Sequence, residues 1–345
     1  MQYYLAPMEG ITTYIYRSAH AKYFGGIDKY FTPFISDKNF ITDKNSNKSL
    51  NAKELRDILP ENNAGIALVP QVLTNNAKRF LAVAKEISSY GYDTVNLNLG
   101  CPSGTVTAKK RGAGFLSVPD ELDAFLYEVY DKCPLKISVK TRLGVSDLSE
   151  WDNLLDIYAK YPVHELIIHT RLLKEFYTGD THPEAYAKAV IRLQANDAAG
   201  NHSQIPLCYN GDIISAKSLE DAVTALNTDT RDSQNMTKSA TIDCVMIGRG
   251  IIQNPALARQ LPSSRSEHVI SKEIWRAFHD EILSGYIKIM SGDSPSLFKM
   301  KDLWTYMSRS FTNSEKYLKR IRKANRISDY VNIVDGLFRE QEIIV

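Results

Sequence analysis

The 345-residue sequence predicts an α/β fold: a (β/α)8 TIM barrel over residues 1–261, followed by a small C-terminal all-α helical domain over residues 262–345. Three observations carry this. Short apolar runs alternate with longer amphipathic stretches through the first two-thirds of the chain. The first run ends in Pro7-Met8-Glu9-Gly10, not in the G-x-G-x-x-G that usually opens the competing architecture, a doubly wound open sheet. After Gln260 the alternation stops and only helical periodicity remains.

Eight runs read as strands: Tyr3–Pro7, Tyr30–Ile35, Ala67–Val72, Thr94–Leu99, Lys136–Thr141, Leu166–Thr170, Pro206–Tyr209 and Cys244–Gly248. They are rich in Val, Ile, Leu and Tyr, as strands covered on both faces require. Thr13–Phe24 is the first helix. Asn76–Tyr90 sets Ala77, Phe80, Leu81, Ala84 and Ile87 on one face, with Asn75 as a candidate cap. Asp120–Lys132 repeats the pattern with Leu122, Phe125, Leu126 and Val129; Trp151–Lys160, Pro183–Ala195, Ser215–Leu226 and a short helix near Pro255 follow. Asp37–Asn63 is polar and replaces or distorts the second helix. Asn196–Gln204 and Asn227–Thr241 are polar insertions on the helix-to-strand side, the face that carries stability in barrels. Pro262-Ser263-Ser264 reads as a linker to helices at Ser271–Met290, Ser296–Phe311, Glu315–Asn325 and Asp329–Phe338.

Composition narrows the function classes. At 43% hydrophobic residues the chain can bury a sizeable core, which excludes disorder as the dominant state. No window of ~18 apolar residues offers a membrane span, and the first ten residues lack the basic, apolar pattern of a secretory leader. Cys101, Cys133, Cys208 and Cys244 form no C-x-x-C pair, which argues against a zinc cluster and a disulfide scaffold. A cytoplasmic, metal-free monomer with reduced thiols is expected. The net charge of +2 is unevenly spread. Lys316, Lys319, Arg320, Arg322, Lys323 and Arg326 form a run with no acid between them. Such a run is either a solvated helix face or a polyanion site.

In a barrel the chemistry sits where strands give way to the following helices. Here those ends are polar: Pro7-Met8-Glu9, Gln71, Asn96 to Ser103, Lys140-Thr141-Arg142, His169-Thr170-Arg171, Asn210-Gly211-Asp212 and Gly248-Arg249-Gly250. Gly211, Gly248 and Gly250 either make tight turns only or, with Arg249, form the phosphate site common at the last two strands. Lys140 and Arg142 alternate on one strand and point the same way, which calls for an anion between them: a flavin, whose reduced form carries negative charge at its N1–C2=O edge, or a sugar phosphate. Cys101, beside Ser103 and Thr105 at the rim, is either a small buried filler or a general acid, with His169 as a neighbour across the barrel.

Taken together, Leu5-Ala6-Pro7-Met8-Glu9-Gly10, Asn98-Leu99-Gly100-Cys101-Pro102-Ser103, Ser138 to Gly144, His169-Thr170-Arg171, Tyr209-Asn210-Gly211-Asp212 and Met246 to Gly250 resemble the tRNA-dihydrouridine synthase family, in family order. The resemblance implies FMN at the barrel mouth, with NADPH or NADH as reductant and tRNA as partner. It implies Pro7, Met8 and Glu9 lining the flavin, Gln71 and Lys140 bonding its ring, and His169 helping to hold it. Asn210, Gly211, Asp212, Gly248 and Arg249 would take its phosphate. Hydride would go to C6 of a D-loop uracil and Cys101 would protonate C5, with Asn98, Arg142, Arg171 and Tyr177 toward the substrate and the Lys316–Arg326 residues on tRNA phosphates. The start of the chain leans toward the uridine-16 type. Asn96 stands where the family often has an acid, Ala108 to Gly114 is more basic than its usual glycine-rich stretch, and Thr170 replaces a frequent glycine. The competing reading is another FMN barrel acting on a small molecule, like a dihydroorotate dehydrogenase. It explains the phosphate loops but not the basic helical tail.

Overall fold

A computed structural model describes residues 1–36, 50–194, 204–229, 241–262 and 271–345. Its strands are β1 (Gln2–Leu5), β2 (Lys29–Phe31), β3 (Ile35–Ser36), β4 (Leu68–Val69), β5 (Gln71–Leu73), β6 (Thr94–Leu99), β7 (Lys136–Arg142), β8 (Glu165–His169), β9 (Leu207–Asn210) and β10 (Cys244–Ile247). All pair in parallel, in the order β3-β5-β6-β7-β8-β9-β10-β1-β2-β4. The two ends of that order are pieces of neighbouring staves. β2 and β3 form the second stave, β4 and β5 the third, joined by Tyr30↔Leu68 and Ile35↔Val72. Eight staves therefore close a barrel of the expected class.

Two expected strands are broken. Pro33 lies between β2 and β3, and Pro70 between β4 and β5; proline has no N–H to give a ladder. Thr32 spans the breaks: its N–H donates to the Val69 carbonyl (3.2 Å) and its Oγ1 accepts from the Gln71 N–H (2.9 Å).

The two-residue period of each strand sorts side chains into the barrel or out toward the helices. Tyr4, Ala6, Phe31, Val69, Ile167, Cys208, Cys244 and Met246 fill the interior. Cys208 and Cys244 are thus small buried fillers. Val95, Leu97, Leu99, Ile137, Val139, Leu166 and Ile168 face the helices in a larger core. One step further along each inward row come Gln71, Asn98, Lys140, His169, Asn210 and Gly248, which is why the polar strand ends meet at one mouth.

The second helix is present where the polar segment was expected to replace it. Ala52–Ile58 opens with a capping box: Asn51 accepts from the Lys53 and Glu54 N–H groups and Glu54 reaches back to the Asn51 N–H. Buried Arg17 ties this helix to Tyr14–Tyr23 through Asp57 (3.1 Å) and Asn63 (2.9 Å). The greater part of the three polar segments, and all of the expected linker but Pro262, lie outside the described residues.

The C-terminal helices Lys272–Ile289, Asp293–Met307, Glu315–Lys323 and Ile327–Glu340 pack on the barrel. Phe24 seats edge-on against Trp275 and Phe278, with ring centroids 5.9 and 5.1 Å apart. Inside, the Tyr330 hydroxyl accepts from Trp304 Nε1 (2.7 Å) and bonds His279 Nε2 (2.6 Å). Ser310 Oγ donates to the Gln253 carbonyl (2.8 Å), holding the connection after the second helix to the barrel rim. No described helix is long and apolar enough to cross a membrane, and no described cluster of His, Cys, Asp and Glu could hold a metal ion.

Candidate active site

A cavity of about 490 Å³ opens at the C-terminal ends of the strands. Pro7, Met8, Glu9, Gln71, Asn98, Cys101, Lys140, His169, Tyr177, Asn210, Gly211, Asp212, Gly248 and Arg249 line it. Its size lies in the range of cofactor sites. A second cavity of about 570 Å³ shares Glu9, Phe34, Cys101 and Tyr177 with the first and adds Leu73, Ser103 and Phe176. Cys101 stands where the two meet.

The floor is electropositive and short of partners. Lys140 is buried, and its ammonium has no hydrogen bond or ion pair among the described residues. Burial, with Arg142 adding, pushes its pKa down to about 7. His169 is buried too, and neither ring nitrogen has a partner among the described residues. Burial first, then the charges of Lys140, Arg142, Arg171 and Arg249, hold it well below its usual pKa, so it is neutral. The ring stacks on Tyr177, centroids 6.3 Å apart.

Amide side chains carry the Cys101 turn. The Gly100 and Cys101 N–H groups donate to Asn98 Oδ1 (3.0 and 2.9 Å). Asn98 Nδ2 donates to Gln71 Oε1 (2.7 Å), Gln71 Nε2 to Asn96 Oδ1 (2.8 Å), and Asn96 Nδ2 to Ser138 Oγ (2.8 Å). From the other side, the Ala113 N–H donates to the Cys101 carbonyl (3.0 Å). Gly112, at φ +54°, must be glycine, since a Cβ would meet that carbonyl at 2.8 Å. Burial raises the Cys101 thiol above its usual pKa against the Ser103 N–H, while Glu9 adds to the rise and Arg142 and Lys140 oppose it. The thiol is therefore protonated at neutral pH, as a proton donor must be.

Two arginines expected toward substrate do not line either cavity. Arg142 is fully buried: Nε donates to the Gly100 carbonyl (2.9 Å), Nη1 to Leu172 (2.8 Å) and Nη2 to Phe176 (2.7 Å). Its charge is thus met by three carbonyls, and no anion between it and Lys140 is needed. Arg171 donates to both Asp212 oxygens (3.0 and 2.6 Å) and to the Gly179 carbonyl (2.7 Å). Arg249 also pairs with Asp212 (2.6 Å) and donates to the Tyr177 carbonyl (3.1 Å). Burial alone would raise the Asp212 carboxyl, but these arginine bonds hold it below the usual range. Tyr177 lies between two cations, 5.4 Å from Arg142 and 5.5 Å from Arg249.

The sequence gives no hint of the mouth's far wall, which comes from the helical region: Thr305, Tyr306 and Arg309. Lys299 Nζ also donates to the Gly10 carbonyl (3.1 Å). These contacts span about 300 residues and leave no local pattern. The basic residues lie apart from the cavity lining. Tyr317 and Ile321 are buried and seat Glu315–Lys323, while Lys316, Lys319, Arg320, Arg322, Lys323 and Arg326 are all exposed. Lys316 pairs with Glu340 at 3.8 Å; the other five have no ion pair among the described residues.

A family model described as dihydrouridine synthase matches residues 4–341. A "Probable tRNA-dihydrouridine synthase" of Staphylococcus aureus is 28% identical over 270 residues, 78% of this chain and 73% of that protein. A protein of the same name from Staphylococcus epidermidis is 27% identical over 270 residues, with the same shares covered. A "tRNA-dihydrouridine(16) synthase" of Aquipseudomonas alcaligenes is 28% identical over 274 residues, 77% of this chain and 76% of that protein.

Proposed function

Because the chain belongs to the dihydrouridine synthase family, we propose that it is an FMN-dependent tRNA-dihydrouridine synthase that uses NADPH to reduce the C5–C6 bond of a D-loop uridine. The observation that carries this is the convergence of a protonated thiol, an unpaired buried ammonium and a neutral imidazole on one cavity mouth. Position 16 is favoured, as in the name of one relative.

The residues present fit FMN. The Lys140 ammonium, the Gln71 amide and the His169 ring offer polar edges to a flat ring bearing carbonyls, above apolar Ala6 and Met8. Gly248 lines the cavity beside Ala6 and Met8 and carries no side chain to keep a phosphate from its backbone. Arg249 and the Asn210-Gly211-Asp212 turn would complete the phosphate end. When bound, FMN supplies hydride, drawn from NADPH, to C6 of the uracil.

The other steps belong to the chain. A uracil stacked in RNA cannot reach this cavity, so the nucleotide must be extruded, and the second cavity beside Cys101 has room for it. Addition at C6 leaves negative charge spread over C5 and the C4 carbonyl. Cys101 gives its proton to C5, completing the two-hydrogen addition, and the thiolate recovers a proton from water. Lys140 and Arg142, whose charges favour the thiolate, ease the donation of the thiol proton to C5. The five unpaired cations of the basic region and Lys316 face the polyanion.

Two expected results test this reading. FMN affinity should fall by up to about tenfold per pH unit above 7, because the bound anion favours protonated Lys140 and the free protein loses that proton near neutrality. Fluorescence titration from pH 6 to 9 measures it. The difference from Lys140→Met isolates the effect from the phosphate's own titration, and parallel profiles would refute it. Reversing Arg320, Arg322 and Lys323 to Glu should weaken tRNA binding and lower the salt dependence of log K by about 3. Unchanged affinity at physiological salt would remove the helix from the tRNA site. A small-molecule reductase would have no use for these exposed cations.

A further inference from the structure

The amide series beneath the Cys101 turn has a direction. A backbone N–H can only donate, so the two that reach Asn98 fix which end of its side chain is oxygen. Its nitrogen then faces Gln71 Oε1, Gln71 Nε2 faces Asn96 Oδ1, and Asn96 Nδ2 faces Ser138. The ends of an amide are nearly the same shape, so packing cannot set this order; the bonds must. All four side chains are buried, Asn96 and Gln71 completely. Gln71 lines the cavity, while Asn96, one inward step deeper on β6, does not.

We propose that Asn96 is a positioning residue: it is the second anchor of the Gln71 amide, and through Gln71 and Asn98 it braces the Cys101 turn. Held only at Oε1, Gln71 could pivot about its bond to Asn98. Held at both ends, it offers the bound ring one donor and one acceptor in a fixed place. The effect on the ring rests on the FMN reading above; the effect on the turn does not.

The test compares Asn96→Leu with Asn96→Asp in full-length protein. Leucine removes the acceptor and leaves a buried N–H unpaired. Aspartate keeps an oxygen toward Gln71 and can accept from the Ser138 hydroxyl. In FMN-free protein, Asn96→Leu should speed hydrogen exchange of the Gly100 and Cys101 amides by about tenfold or more, with β8 and β9 amides within about twofold of wild type. In FMN titrations it should weaken binding by about tenfold or more and shift the visible flavin band. Asn96→Asp should return exchange and affinity to within about threefold of wild type.

Wild-type exchange at Gly100 and Cys101 in Asn96→Leu overturns the proposal. So does acceleration spread evenly over β8 and β9, or failure of aspartate to rescue. If Asn96→Leu does not fold, Ser138→Ala carries the same test, since it strands Asn96 Nδ2: faster exchange confined to the turn supports the proposal and unchanged exchange overturns it. A wild-type protein that binds no FMN would instead refute the functional reading, and the exchange experiment would still decide the role of Asn96.

Discussion

Cys101→Ala is expected to cut dihydrouridine formation by about 10²–10⁴-fold, the range for loss of a positioned general acid, while FMN affinity stays within about twofold of wild type. The separation follows from how the turn is built. Its hold on Asn98 is made by the Gly100 and Cys101 backbone N–H groups, and its other latch is the Cys101 carbonyl. Removing the sulfur therefore removes the proton donor and leaves the scaffold. Serine is expected to restore little, because an alcohol gives up its proton far less readily than a thiol. Turnover on unmodified tRNA and flavin fluorescence measure the two effects side by side. Lost FMN binding in the alanine variant would mean that Cys101 builds the pocket instead of supplying a proton.

Arg142→Ala is expected to be the most damaging substitution near the site. It would strand the Gly100, Leu172 and Phe176 carbonyls, which belong to the Cys101 turn and the loop bearing Tyr177. It would also remove one of the two cations flanking the Tyr177 ring. A buried, charge-assisted network of this kind is worth on the order of 3 kcal/mol. A fall of that size should appear in urea unfolding, together with a loss of turnover of about a hundredfold or more, since a misplaced acid costs rate steeply. Arg142→Lys should not rescue, because an ammonium cannot reproduce the planar fork that meets three carbonyls. A lysine variant with wild-type stability and turnover would show that charge alone suffices there.

The strand positions were legible because inward-facing side chains alternate with helix-facing ones, and because polar residues cluster at one end of nearly every run. The same logic brought Pro7, Gln71, Lys140, His169, Asn210 and Gly248 to one cavity. Pro33 and Pro70 stand inside apolar runs, and the run pattern alone reads each run as one continuous strand. The helix Ala52–Ile58 was likewise signalled by Asn51 and Glu54 at capping-box spacing, within a segment dominated by polar residues. Other features had no local signal. Lys140 and Arg142 do share a face, but the three carbonyls that satisfy Arg142 come from two loops, and only the folded chain brings them together. The pairing of Asp212 with Arg171 and Arg249 and the wall supplied by Thr305, Tyr306 and Arg309 are likewise products of tertiary contact.

The most direct test of the proposed chemistry is to supply purified, FMN-loaded protein with NADPH and unmodified tRNA and to map dihydrouridine by sequence position. A D-loop uridine converted only when NADPH is present, and not by the Cys101→Ala protein, is the result the site's arrangement requires. Protein that holds FMN and oxidises NADPH yet leaves every uridine intact would contradict it.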